Sequence, residues 1–325
     1  MPKMLILPVS SPLNAEFAIS RGAKTSAETV RVELHADGHV GRGECVPYLR
    51  YGESRVSVVA QLAGIEDMVT AGLTREKLQR IMPAGAARCA LDCAMWDLEA
   101  KSSDIPVWQR AELPEPVALN TTMTISLADP DQMARHAKQA DARILKLKFG
   151  GADDLARLEA VRQARPDAQL ILDGNEGMDP DTFPEICAMA SKFGVRMIEQ
   201  PFLQGQDDVL LQRPNDVTIC ADESVHTRRE IQDLARKYDA INIKLDKAGG
   251  LTEALAMLRE AKKCGLSTMI GCMVAGSLSM APAVLLGQDA DLIDLDGPLW
   301  LKEDVAHKLH YENGSVSPPT RALWG

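Results

Sequence analysis

From about residue 115 to residue 300, short runs of β-branched and aliphatic residues recur at nearly constant spacing, and this rhythm limits the fold more than any other feature. The runs cover residues 117–125, 144–148, 170–173, 197–200, 218–222, 241–246, 267–273 and 292–296, and their ends fall about 22–28 residues apart. That is the length of one strand, one helix and two loops. Residues 130–140, 153–164 and 251–264, which lie between the runs, carry helical amphipathic patterns. Eight strands with seven intervening helices predict a parallel sheet closed into a (β/α)7β TIM-like barrel. No Gly-rich dinucleotide fingerprint favours an open sheet instead.

The chain before the barrel has a different texture. Residues 29–36 (TVRVELHA) alternate, Asp37-Gly38 is a tight-turn pair, and residues 39–45 (HVGRGEC) continue as a second strand. Helical patterns follow near 54–70 and 75–82, with a stronger one at 84–101 in which Cys89, Cys93 and Trp96 fall at helical spacing. The rhythm stops after Trp300. The expected organisation is therefore an α+β domain over 1–112, a barrel over 113–300, and a segment over 301–325 that packs back on the first domain.

Composition removes several function classes. With 46 Asp and Glu against 36 Lys and Arg, the formal net charge is −10, the wrong sign for gripping a nucleic-acid backbone. No run approaches the roughly 18–20 apolar residues of a membrane span. The start, interrupted by Pro8, is too short for a secretory leader. The seven cysteines are scattered and odd in number, as expected of reduced thiols in a cytoplasmic protein.

The ends of the barrel strands are where a barrel places its chemistry, and here they carry charge. Run two ends in Lys146-Leu147-Lys148, run three in Asp173, run four in Glu199, run five in Asp222; run six holds Lys244 and Asp246, and run eight Asp294 and Asp296. Charges at the ends of apolar strands are costly unless paired or metal-bound. Asp173, Glu199 and Asp222 lie on consecutive strands and offer three hard oxygen ligands, which suit Mg2+ better than zinc. Side chains alternate along a strand, so Lys146 and Lys148 share a direction, as Lys244 and Asp246 are expected to do. Strands two and six face each other across an eight-strand ring. A ligand between them would meet one amine on each side, as a 1,1-proton transfer requires. Lys148 and Lys244 are the expected catalytic pair. Lys146 would lower the pKa of Lys148, a cation would lower that of Lys244, and Asp246 would orient Lys244.

These residues carry a family resemblance. Lys146-x-Lys148, Asp173-Gly174-Asn175-Glu176, Glu199-Gln200-Pro201, Asp222-Glu223-Ser224 and Lys244-Leu245-Asp246-Lys247 resemble the muconate-lactonizing subgroup of the enolase superfamily over nearly the whole chain. Gly174 departs from the common Ala without touching a ligand. The resemblance implies an N-terminal capping domain over a barrel and one Mg2+ per subunit. It also implies proton abstraction next to a carboxylate.

Within that subgroup the substrate is read from Asp294-Leu295-Asp296. Two inward carboxylates opposite the metal arc call for a cation, such as the ammonium of a small dipeptide. They would repel a muconate or a succinylbenzoate. This Asp-x-Asp, the run INIKLDKAGGLTEA from Ile241 and Gly271-Cys272-Met273 resemble the dipeptide epimerases. Thr122 and Cys272 are counted with the substrate-binding residues, as are Arg21, Arg50 and Tyr51 of the capping loops. A positive loop residue would favour an acidic epimerised side chain, as in L-Ala-D/L-Glu. Residues 47–54 and 221–224 look similar to the Ala-Glu epimerases of murein peptide recycling. N-acylamino acid racemase, o-succinylbenzoate synthase and cycloisomerase activity stay open as alternatives, as do a Schiff-base aldolase and a non-catalytic binding barrel. Homo-oligomerisation also stays open.

Overall fold

The computed structural model describes residues 2–151, 153–212 and 217–325. The chain begins with three antiparallel strands, β1 (Lys3–Ile19), β2 (Gly22–Ala36) and β3 (His39–Cys45), in the order β1-β2-β3. Asp37 and Gly38 both have positive φ and close the β2–β3 hairpin as the Asp-Gly pair predicts. The length of β1 was not legible. It is interrupted by a bulge between Pro12 and Phe17 and lacks clean alternation, so its state is decided by the partner strand it pairs with.

Helices α1 (Arg55–Ala63), α2 (Glu66–Thr70), α3 (Arg75–Ile81), α4 (Ala86–Ser103) and α5 (Val107–Arg110) follow. Residues Ala86 to Asp97 of α4 are all buried, because one side packs on the sheet and the other on the barrel. Close packing against the sheet requires Gly41 and Gly43 of β3. A Cβ on Gly43 would collide with the Ala90 carbonyl and lie 2.7 Å from the Ala94 nitrogen.

After the short strand β4 (Leu119–Asn120), eight parallel strands form one sheet in chain order: β5 (Thr122–Ile125), β6 (Ile144–Lys148), β7 (Gln169–Asp173), β8 (Val195–Glu199), β9 (Thr218–Ala221), β10 (Ala240–Lys244), β11 (Ser267–Gly271) and β12 (Leu292–Asp294). A parallel bridge between Thr121 and Ile293 joins last to first. Between the strands lie α6 (Pro130–Gln139), α7 (Asp154–Ala164), α8 (Phe183–Lys192), α9 (Ile231–Leu234), α10 (Leu245–Ala248), α11 (Leu251–Lys263) and α12 (Ser277–Leu286). Helix α6 begins as its sequence suggests, with Pro130 in the first turn and the Asp129 carboxylate accepting the Gln132 N–H. The barrel interior is layered. Ile144, Ile171, Met197, Cys220, Ala240, Met269 and Leu292 fill one apolar layer. By alternation, the next inward positions on these strands are polar except Gly271, and they build the mouth.

Three strand ends differ from expectation. Run one splits at Thr121, so that β4 pairs outside the barrel. Strand β10 stops at Lys244, where α10 begins, and β12 stops at Asp294. The last segment forms β13 (Tyr311–Glu312) and β14 (Ser315–Val316), which pair with β4. It then reaches the first domain, where the Trp324 indole donates to the Cys93 carbonyl at 3.2 Å and the Gly325 N–H to Asp97 at 2.6 Å. The tail thus contacts barrel and first domain alike. All seven cysteines are free, and among the described residues no helix is long and apolar enough to cross a membrane.

Gly43→Ala should cost on the order of 1–3 kcal/mol, because the added methyl group meets backbone that cannot rotate away. A lowered thermal midpoint checks this, and an unchanged midpoint would mean that β3 and α4 can separate freely.

Candidate active site

The polar layer is a lattice of alternating charge. Lys146 of β6 places its ammonium 3.0 Å from Asp173, 2.8 Å from Glu199 and 2.7 Å from Asp294. Lys148, one turn of the pleat higher, donates to Asp173 at 2.6 Å. On the far side Lys244 donates to Asp222 at 2.6 Å, and Lys247 reaches the other oxygen of that carboxylate at 2.5 Å. The Asn242 amide donates to Glu199 at 2.8 Å. Every member is buried, so no charge here is compensated by bulk water.

The electrostatics follow from this packing. Burial opposes charge on Lys146, but Asp173, Asp294 and Glu199 outweigh it and hold the ammonium well above its ordinary pKa. Lys244 behaves alike: burial pulls it down, and Asp222 takes it well above. With the carboxylates at contact distance, the protonated forms of Lys146 and Lys244 are favoured. Asp173 and Asp222 are held below the carboxylate range against their burial, chiefly by Lys146 and Lys244 respectively. Glu199 is the exception, pushed up to about 8 by burial and then by Asp173.

Above the lattice is a cavity of about 230 Å³, below the roughly 300–1,000 Å³ of a drug-sized site and suited to a small metabolite. Lys146, Lys148, Asp222, Lys244, Cys272, Asp294 and Asp296 line its barrel side, and Arg21 and Tyr51 its cap side. Asp173 and Glu199 are fully buried beneath it. Thr122 also lies beneath, its hydroxyl donating to Asp294, while Thr124 reaches the cavity.

Two expected roles are corrected. Asp246 does not share the direction of Lys244, because the strand ends and residue 246 lies in α10; its carboxylate accepts the Val46 N–H at 2.7 Å. It ties cap to barrel instead of orienting the lysine. Arg50 is not among the cavity-lining residues, and its guanidinium makes a two-pronged contact with Glu176 at 2.9 and 2.8 Å. Arg21 does line the cavity, but its charge is consumed by Glu223 at 2.6 Å and Glu176 at 3.2 Å.

Among the described residues, Lys24 of β2, which sequence reading missed, lines the cavity from the cap side without an ion pair. Its ammonium lies 5.6 Å from the centre of the Phe17 ring, and no carboxylate partner is found for it among the described residues. Burial lowers its pKa to about 8. Nothing in periodicity distinguishes this lysine from a surface one. Lys247, Glu176 and Glu223 were inside recognised motifs, but their contacts come from loops that alternation does not reach.

For a divalent cation the donor chemistry fits: Asp173, Glu199 and Asp222 are hard oxygen ligands on adjacent strands, and Glu199 Oε2 meets the Lys146 ammonium at 2.8 Å, so a cation already stands at that oxygen. Among the described residues no three acidic, imidazole or thiol groups already surround one point, since lysine ammonium groups stand between the carboxylates.

Comparison with known proteins agrees with this architecture. Residues 130–322 match the enolase C-terminal domain-like family and residues 2–110 the mandelate racemase / muconate lactonizing enzyme N-terminal domain. The L-Ala-D/L-Glu epimerase of Escherichia coli (strain K12) is 44% identical over 309 residues, covering 94% of this chain and 96% of that one. An enolase family member from Agrobacterium tumefaciens with homology to dipeptide epimerases, solved with sodium and L-Ala-L-Glu, superposes with a TM-score of 0.98 at 46% identity over 100% of both chains. A dipeptide epimerase from Enterococcus faecalis V583, complexed with Mg and L-Leu-L-Tyr, gives 0.91 at 26% identity over 99% and 98%. The chain belongs to the enolase superfamily, in its mandelate racemase and muconate lactonizing branch. It is an isomerase of the epimerase and racemase kind.

Lys146→Met would leave Asp173, Glu199 and Asp294 without their shared cation, at a cost of about 3–5 kcal/mol near neutral pH. Their pKa values would then rise in the folded state only, so stability is lost as pH rises through those raised values. Urea unfolding in EDTA should show a larger deficit at pH 8 than at pH 5. Equal deficits would mean that Lys146 does not neutralise this lattice.

Proposed function

We propose that the enzyme epimerises dipeptides at the α-carbon of the C-terminal residue, with L-Ala-D/L-Glu preferred and a place in murein peptide recycling. The observation that carries this reading is one cavity with Lys148 and Lys244 on opposed strands and Asp294 and Asp296 on a third wall. One lysine breaks the α C–H bond and takes the proton, leaving the electron pair delocalised into the carboxylate as an enediolate. The opposite ammonium then forms the new C–H bond on the other face. L and D substrates exchange the roles of the two lysines.

Mg2+, one per subunit on Asp173, Glu199 and Asp222, would supply positive charge to the substrate carboxylate as negative charge develops there. Asp296 is the better placed acceptor for the dipeptide ammonium. Both Asp294 oxygens already take Lys146 and Thr122, whereas Asp296 gives one oxygen to the Thr124 N–H. Burial beside Asp294 pushes Asp296 up to about 6, and an incoming ammonium would stabilise its charged form. Lys24 supplies the positive charge that a glutamate side chain needs, in place of Arg21 and Arg50, which are already paired.

Incubating L-Ala-L-Glu with enzyme and Mg2+ in D2O should place deuterium at the glutamate α-carbon and yield L-Ala-D-Glu, and neither should appear with Lys244→Ala. Lys24→Met should lower kcat/KM for L-Ala-L-Glu roughly tenfold or more relative to dipeptides with apolar second residues, as expected when a charged partner is truncated. Turnover of N-acetyl-L-glutamate in preference to L-Ala-L-Glu would move the assignment to the N-acylamino acid racemases.

A further inference from the structure

Arg21 and Arg50 come from different cap segments, and both end on Glu176. The Glu176 side chain is 2% exposed, and both its oxygens are shared. Oε1 accepts from Arg50 Nη2 at 2.8 Å and from the Gln204 N–H at 2.9 Å; Oε2 accepts from Arg50 Nε at 2.9 Å and from Arg21 Nη1 at 3.2 Å. One carboxylate thus joins four segments: the β1–β2 turn, the 48–53 loop, and the loops that follow β7 and β8. Arg21 also donates to the Asn175 carbonyl at 2.6 Å, and Ser20 to the same oxygen at 3.2 Å.

The backbone beneath is unusual. Asn175 and Glu176 have φ of 41° and 67°, consecutive left-handed residues without glycine, which persist only where surrounding contacts hold them. The strain lies two residues beyond Asp173, and it turns the Glu176 carboxylate toward the cap. The cap segments it meets carry Phe17, Ile19, Lys24, Tyr48 and Tyr51 into the cavity wall. Gly22 and Gly52, with φ of 134° and 74°, lie one and two residues after the arginines and permit the turns that carry them. The arginine side chains are 26% and 33% exposed, so the contact is accessible to solvent from the cap side and can be broken without unfolding the barrel.

We propose that Glu176 is a clasp, a positioning residue that holds both cap segments closed over the cavity and so sets the residence of the substrate. Taking that cavity as the substrate site rests on the function proposed above; the clasp itself does not. Arg50 acts through Glu176, and Arg21, which also pairs with Glu223 at 2.6 Å, is shared between the two carboxylates.

Hydrogen–deuterium exchange of Glu176→Gln, compared with the unaltered protein, should show faster uptake in both 17–24 and 48–53 while the barrel strands keep their protection. Arg50→Met should loosen 48–53, and Arg50→Lys, which keeps the charge but not the two-pronged contact, should recover only part of it. In steady state with L-Ala-L-Glu, Glu176→Gln should raise KM about tenfold, more than it lowers kcat, as expected for a charged pair that is partly solvent-screened. Adding Arg50→Met to Glu176→Gln should add little further. Faster exchange confined to 174–178, or fully additive effects of the two substitutions, would overturn the clasp. If Glu176→Gln does not fold, Arg50→Met, altered only on the cap side and removing the two-pronged contact with Glu176, gives the exchange test for 48–53. Loss of the exchange pattern refutes the clasp whatever the activity, whereas an intact pattern with no dipeptide turnover by the unaltered protein refutes only the substrate assignment.

Discussion

Charge compensation around Lys146 is the constraint on which the rest of the structure depends. A lysine ammonium inside a barrel is tolerable only with carboxylates at contact distance, and Lys146 has three of them on strands β7, β8 and β12. That requirement sets how strands must be staggered at the mouth. The apolar layer below, from Ile144 to Leu292, supplies rigid walls, so the charged groups above it are held in place before any substrate arrives. The same arrangement sets three carboxylates on adjacent strands and two lysines, Lys148 and Lys244, on opposed ones.

The first domain does more than cover this site. Arg88 of α4 donates to the carbonyls of Ala248 and Gly249 at 2.6 and 3.1 Å, and Asp92 accepts the Thr252 N–H at 2.9 Å. These contacts fix the turn after α10, where a Cβ on Gly249 would lie 2.5 Å from Arg88 Nε. Helix α10 carries Lys247, which holds Asp222. The cap is thereby connected through the backbone to Lys247 and Asp222, and through Asp246 and Val46 to the end of β10. Glu176 makes a third connection, on the opposite side of the mouth.

Much of this was legible in the chain. The spacing of the apolar runs predicts the barrel, and period-two alternation places Lys146, Lys148 and Asp173 on one inner surface, because within a regular strand direction follows from parity alone. Parity fails once the strand ends. Asp246 was read as a continuation of β10, but the chain turns into α10 after Lys244 and aims that carboxylate at Val46. Run eight likewise stops at Asp294; Asp296 still reaches the cavity, but by way of the following turn.

Residue types and spacing thus determine the barrel and its charged rim, since these depend on local periodicity and on the cost of burying charge, whereas the family is carried by the resemblance of the strand-end motifs. Which of the cap cations stands without an ion pair among the described residues was decided only by the tertiary structure. Arg21, Arg50 and Lys24 are indistinguishable in sequence as positive residues in cap segments. Folding brings Glu176 and Glu223 to the first two and leaves Lys24 beside Phe17. The availability of a charge depends on partners that are distant along the chain and adjacent only once the cap closes on the barrel.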